Sequence, residues 1–174
     1  SRPTGIAGIA LFALPHNRSV LTHKGCAYDW AKHHAVGAGE LVDAPTGYPG
    51  YNGTIPRSAA TIGRVLGANG YSTAFFGKHH NVPPLQLAGT GPFTQWPTGL
   101  GFDYFFGFLG GEMHQWQPRL YRGTSLVERA TNGAEVLDKL LADDALNWLH
   151  NHNAATPDRP FLIYFATGTG HSPH

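Results

Sequence analysis

The sequence predicts an α/β protein of three layers, a parallel sheet covered by helices on both faces. Three observations lead there. A helical stretch passes through a glycine turn into a short apolar run, and the same order recurs near the end of the chain. The second apolar run, Phe161 to Phe165, has no polar face at all. Strands buried on both faces belong to parallel sheets under helices. Two long Gly- and Pro-rich stretches, residues 37–56 before the first unit and 82–102 after it, also carry Tyr, Phe and Trp, so they read as ordered, functional loops.

Each element follows from its residues. "PRSAATIGRVLGANGY" places Ala60, Ile62, Val65 and Leu66 near one helical face, with Ser58 as the expected cap. Gly70 stands where a left-handed C-terminal residue belongs. "YSTAFFG" then reads as a buried strand ending at Gly77. In "AEVLDKLLADDALNWLHNHNA", the residues Val136, Leu140, Leu141, Ala145 and Leu149 form one stripe at helical spacing. "TPDRP" breaks this helix before the second strand. The helix–turn–strand order is the second half of a βαβ unit.

Composition narrows the function classes. Of 174 residues, 41% are hydrophobic and 13% charged, which argues for a packed domain rather than a disordered tail. The net charge of +1 and the lack of any Lys/Arg run exclude a nucleic-acid partner from the expectations. "GIAGIALFALP" is too short to span a bilayer, so no membrane is expected. One cysteine, Cys26, permits no internal disulfide and leaves the compartment open.

Both strand exits carry chemistry. "GKHHNVPP" follows the first strand and "TGTGHSPH" the second. Neighbouring parallel strands would deliver Lys78, His80 and His171 to one edge of the sheet, where open α/β sheets bind ligands. A fixed cation with two imidazoles suits an oxyanion such as sulfate or phosphate, and could move a proton to a leaving oxygen. His33 and His34 are metal-ligand types, but adjacent side chains diverge, so a loop role is favoured for them. His114, Trp116 and Trp96 are expected to pack or to line a pocket wall.

Four segments resemble the type I sulfatase family, bacterial arylsulfatases in particular, and they occur in family order. "GYSTAFFGKHHNVP" resembles the signature that leads through a strand to Gly-Lys-x-His. "PTGYPGYNGTIPRSAATIGRVL" is similar to the loop and helix before it, and "GPFTQWPTGLGFDYFFGFLGGEMHQWQPRLY" to the segment after it. "RPFLIYFATGTGHSPH" resembles the later strand ending in Ala-x-His-x-Pro-His. Together they cover residues 33–174 almost without a break, so this region is expected to be a partial sulfatase domain.

The resemblance implies an alkaline-phosphatase-like α/β/α sandwich, incomplete in this chain, and a sulfuric ester hydrolase acting on a small-molecule sulfate ester. By position, Lys78 and His80 match the pair that contacts sulfate and the nucleophile region. His171 matches the later histidine that binds sulfate or protonates the leaving oxygen. The family also uses a formylglycine made from a cysteine, and a divalent cation, usually calcium. No metal-binding Asp pair stands upstream here, and the later Asp-Asn ligands and second lysine are expected beyond His174. This chain is therefore expected to be inactive alone. Two alternatives stay open: a phosphatase or phosphodiesterase of the same superfamily, and a non-catalytic, anion-binding pseudoenzyme.

Residues 1–32 break the pattern. Counting back from His33, the family cysteine falls at Val20 and its arginine at Lys24, whereas Cys26 stands in no Cys-x-Pro-x-Arg context. The genetic code reconciles the two. Read one nucleotide later, codons compatible with Val20 to Lys32 yield Cys-Ser-Pro-Thr-Arg-Ala-Ala-Leu-Thr-Thr-Gly-Arg-Asn, which meets His33 and His34 in register. At Trp30 the shifted glycine is obligatory. Residues 1–32 are thus expected to be an aberrant segment from a shifted reading frame, with "GIAGIALFALP" an accident of it and its fold poorly specified.

Overall fold

The computed structural model of the protein describes residues 8–13, 23–24, 54–55, 57–128 and 135–169. Their centre is a sheet of seven strands: β1 (Gly8–Ala13), β2 (His23–Lys24), β3 (Ser72–His79), β4 (Tyr104–Leu109), β5 (Tyr121–Arg122), β6 (Ser125–Leu126) and β7 (Phe161–Ala166). They lie in the order β2-β1-β7-β3-β4-β5-β6. The core triplet β7-β3-β4 is parallel, with Phe75 between Tyr164 and Phe105. The strands on both flanks pair antiparallel. Gly8–Ala13, the stretch expected to be poorly specified, pairs with Phe161–Ala166 along its whole length.

Both faces of β3 are covered, and its residues are buried without a break from Ser72 to Gly77. Phe75 packs with Phe102, Phe105, Trp96 and Leu162 on one side, under Ile62 and Leu66 of helix α1 (Ile62–Ala68). Ala74 and Phe76 pack with Phe106, Phe108 and Ile163 on the other, under Leu137, Leu141 and Ala145 of helix α2 (Leu137–Ala155). The three expected layers are therefore present.

Helix α1 begins later than the sequence suggests. Thr61, not Ser58, is its cap: the hydroxyl oxygen accepts the Arg64 N–H at 3.2 Å and the hydroxyl donates to Leu100 O. A contact from a distant segment thus selects between the two hydroxyl residues, Ser58 and Thr61, that flank two alanines. The helix ends as predicted at Gly70, whose φ is +86°. Gly70 N donates to Gly67 O and Tyr71 N to Leu66 O, each at 3.1 Å, the paired bonds of a Schellman motif.

Helix α2 buries Leu137, Leu141, Ala145 and His152, so its stripe starts one residue after the predicted Val136, which caps the helix instead. Val136 offers no side-chain cap; the Leu137 N–H is satisfied by Gln115 O at 2.7 Å. On the outer face, Lys139 bridges Glu135 and Asp143 one turn away on either side. Asp144 ties the helix to the sheet, accepting from the Tyr104 hydroxyl at 2.6 Å and from Arg122, which also donates Nε to the Tyr104 oxygen at 3.0 Å. Burial, then Asp144, pushes the Tyr104 phenol up to about 12.

Strand β4 falls in the family-like segment that follows Lys78 and His80, to which the sequence reading assigns no helix or strand. The stretch 82–102 is indeed ordered: it holds one turn of 3₁₀ helix, Pro84–Gln86, and the fully buried Trp96, whose indole N–H donates to Gln86 O at 2.9 Å. Among the described residues no helix is long and apolar enough to cross a membrane.

Candidate functional site

Strands β3 and β7 are neighbours and run the same way, so they end at one edge of the sheet. The first extends two residues past its predicted end, so Lys78 and His79 still belong to it and His80 is the first residue out. His171 lies outside the described residues, as do Cys26, His33 and His34. The described β7 exit runs to Thr169.

Small residues let the strands approach closely at this level. Ala166, Gly77 and Gly107 are register partners across the three parallel strands. Gly77 has φ +103°, and a Cβ placed there would lie 1.7 Å from Ala166 O. Only glycine meets both demands, and it sets the backbone just before Lys78.

Lys78 is half-buried. Burial pulls its ammonium below the usual lysine range, and the Glu112 carboxylate opposes that pull. Glu112 comes from the segment after β4, which also passes over His80: a Cβ on Gly111 would sit 3.0 Å from the imidazole. The β7 exit is held as firmly. Gly168 N donates to Asp138 Oδ1 at 2.8 Å, and Gly168 O accepts from Gln115 Nε2 at 3.2 Å. Asp138 lies in the first turn of α2, where a carboxylate is favoured by the helix dipole.

His79, between the two predicted site residues, turns inward. It is buried edge-on against Phe75, with ring centroids 5.5 Å apart. Its Nε2 pairs with Gln95 O at 2.8 Å; a carbonyl only accepts, so this nitrogen carries the proton. The Gln95 amide then clamps Ile55, accepting its N–H at 2.9 Å and donating to its carbonyl at 3.2 Å. Burial drives the His79 pKa down to about 4, so the ring is neutral at pH 7. His79 therefore anchors the segment at Ile55 beside the strand and carries no charge to the edge.

The described edge thus offers one cation and one imidazole at the end of a rigid strand, with a tethered neighbouring exit. Such a set can hold an oxyanion. Among the described residues no group of three His, Cys, Asp or Glu side chains could hold a metal ion. These described residues do not by themselves fit the calcium that the family resemblance implies. Sequence reasoning missed Asp138, Gln115, Gln95 and Glu112; only the acidic first turn of α2 was a local signal for any of them.

A model of the Sulfatase family matches residues 34–174. The chain belongs to the Sulfatase family. This is a family of sulfuric ester hydrolases. An uncharacterized sulfatase, YdeN of Escherichia coli (strain K12), is 29% identical over 152 residues, spanning 75% of this chain and 26% of YdeN. The crystal structure of Ps i-CgsB superposes with a TM-score of 0.61 at 20% identity, covering 96% of this chain and 38% of that one. Ps i-CgsB in complex with k-i-k-neocarrahexaose gives 0.59 at 19% identity, with the same coverage. PsFucS1 sulfatase from Pseudoalteromonas sp. gives 0.50 at 16% identity, covering 67% of this chain and 28% of that one. The chain thus spans between about a quarter and two fifths of these proteins. At such identities the structural likeness establishes the fold, an alkaline-phosphatase-like α/β architecture.

Proposed function

We propose that this chain carries the anion-holding part of a sulfuric ester hydrolase site, with Lys78, His80 and His171 around the sulfate. The observation that carries the reading is the parallel adjacency of β3 and β7, which ends both strands at one edge. Lys78 supplies charge to the sulfate oxygens. His80 donates a hydrogen bond beside it. His171, three residues past the tethered Gly168, binds the ester from the other exit or gives a proton to the leaving oxygen. The arylsulfatase-like motifs favour a small sulfate ester, and the k-i-k-neocarrahexaose held by Ps i-CgsB adds carbohydrate esters to the candidates.

The same reading holds the chain inactive by itself, because Cys26 stands in no Cys-x-Pro-x-Arg run that could mature to formylglycine. Residues 1–32 are a shifted-frame product that replaces such a run, and 33–174 are the partial sulfatase domain. The family match begins at residue 34, one residue after the shifted reading comes back into register at His33, and this supports the proposal. Coding DNA whose codons cannot yield Cys-Ser-Pro-Thr-Arg in the next frame would refute it.

Titration of the purified chain with inorganic sulfate tests the site. Binding is expected, with Lys78→Ala weakening it about tenfold, the loss of one charge-assisted contact. No sulfate binding by the unaltered chain would remove the proposed site. Turnover of an aryl sulfate would overturn the inactivity, and binding without turnover agrees with it.

A further inference from the structure

The amino ends of the parallel strands carry a second group of polar and aromatic side chains. Ser72 begins β3 and Tyr104 begins β4, and both line an open cavity of about 420 Å³. Lys78 stands further along the same extended strand, about 20 Å from Ser72 at the usual rise per residue. The cavity and the anion edge therefore lie at opposite ends of the sheet. A space of this size is of the kind that holds small molecules. Helix α2 gives it Trp148 and His152, and Asp103 and Arg159 bring charge to its wall.

The protein holds each of these parts in place. Arg159 Nε donates to Gly70 O at 3.0 Å and Nη2 to Tyr71 O at 3.3 Å. Two backbone carbonyls thus fix the guanidinium along one edge. Nη1 and the second hydrogen of Nη2 remain, a fork that matches a carboxylate. Asp103 Oδ2 accepts from Thr73 N, and Thr73 Oγ1 accepts from Asp103 N, each at 3.0 Å. The ion pairs among the described residues join Arg122 to Asp144, and Lys139 to Glu135 and Asp143. Arg159 and Asp103 therefore share a cavity without pairing with each other. Trp148 stacks on His152 with ring centroids 5.2 Å apart and meets Phe161 edge-on at 6.1 Å. The indole is already fixed, so little freedom is lost when a further ring packs on it. His152 is nine-tenths buried, and neither of its ring nitrogens has a hydrogen-bond partner. Such groups are few in folded proteins, and this one lies in a cavity wall.

A guanidinium, a carboxylate and an aromatic wall around one space complement a carboxylate, an ammonium and a flat ring. We propose that this cavity binds a free, zwitterionic aromatic amino acid, its carboxylate on Arg159, its ammonium on Asp103 and its ring against Trp148. Isothermal titration of the purified chain with L-phenylalanine, phenylacetate, phenethylamine and L-alanine tests the site. Phenylalanine is expected to bind, and the other three, which lack the ammonium, the carboxylate or the ring, to bind about tenfold more weakly. Arg159→Gln should weaken phenylalanine and phenylacetate about tenfold and leave phenethylamine unchanged. Asp103→Asn keeps an acceptor for Thr73 N and should do the converse, weakening phenylalanine and phenethylamine but not phenylacetate. A merely structural role for either side chain would weaken every probe alike, and that result overturns the assignment. Absence of phenylalanine binding by the unaltered chain overturns it as well, as does binding that neither variant changes. Should Arg159→Gln fail to fold, the contrast between phenylacetate and phenethylamine in Asp103→Asn still decides. Inorganic sulfate should bind the unaltered chain and both variants equally, so failure of this site and failure of the sulfate edge are read separately.

Discussion

Asp138 Oδ1 accepts the backbone N–H of Gly168 at 2.8 Å, joining the first turn of α2 to the exit of β7. The bond crosses 30 residues of sequence and fixes the chain three residues before His171. A helix that covers one face of the sheet thereby also positions part of its edge.

Replacing Asp138 by Ala removes a charged acceptor and leaves a part-buried N–H unpaired. The expected loss of stability is about 1.5–3 kcal/mol, the range for hydrogen bonds to charged groups. Asp138→Asn keeps an acceptor oxygen and should lose less. Urea denaturation measures the stability, and sulfate titration of both variants measures the effect on the edge. Equal stability in all three proteins would show that the bond holds nothing.

His79 makes stability depend on pH in a known direction. Its folded pKa of about 4 lies below the ordinary value of 6.5, so the unfolded chain takes up the proton first. The contribution is fully present above pH 6.5 and is lost as pH falls toward 4. A gap of this size corresponds to about 3 kcal/mol. His79→Gln retains an amide donor for Gln95 O but no titrating ring. Urea midpoints at pH 7.5 and 4.5 should differ less in this variant than in the unaltered protein. An identical difference would exclude His79 as the source.

Gly77→Ala tests the close approach of the strands. The new methyl group meets Ala166 O at a backbone angle that alanine avoids. The combined clash and strain are expected to cost more than about 3 kcal/mol, among the largest single-residue effects. Loss of the cooperative unfolding transition, or insolubility, is the expected outcome. A folded variant with an unshifted midpoint would contradict the packing of β3 against β7.

Tyr104 should resist ionisation. With its phenol pushed up to about 12 by burial and Asp144, it adds little to the tyrosinate absorbance that develops between pH 9 and 11. Tyr104→Phe should therefore leave that part of the ultraviolet titration unchanged. It should also lower stability by about 1 kcal/mol through the lost hydroxyl, measured by urea denaturation.

Much of the scaffold was legible because its signals are local. The stripe on α2, the Gly70 turn and the unbroken apolar run of β7 each depend on residues within a few positions of one another. Boundaries were less legible: the start of α1 moved from Ser58 to Thr61 because a hydroxyl found Leu100 O across 39 residues. Strand β4 was hidden in a Gly- and aromatic-rich stretch whose apolar run, Tyr104–Leu109, is interrupted by Gly107. The edge residues Lys78 and His80 were legible from their place after an apolar run, while the inward turn of His79 was not.

The sequence by itself determined the alternation of helix and strand, the two-sided burial of the central strands and the family, because hydrophobic spacing and motif order are written along the chain. Only the tertiary structure decided that Asp138 and Gln115 hold Gly168, and that Gln95 joins His79 to Ile55. Those bonds link positions 16 to 53 residues apart. A polar group takes as partner whatever the packed core brings within hydrogen-bonding distance, and no local pattern encodes that choice.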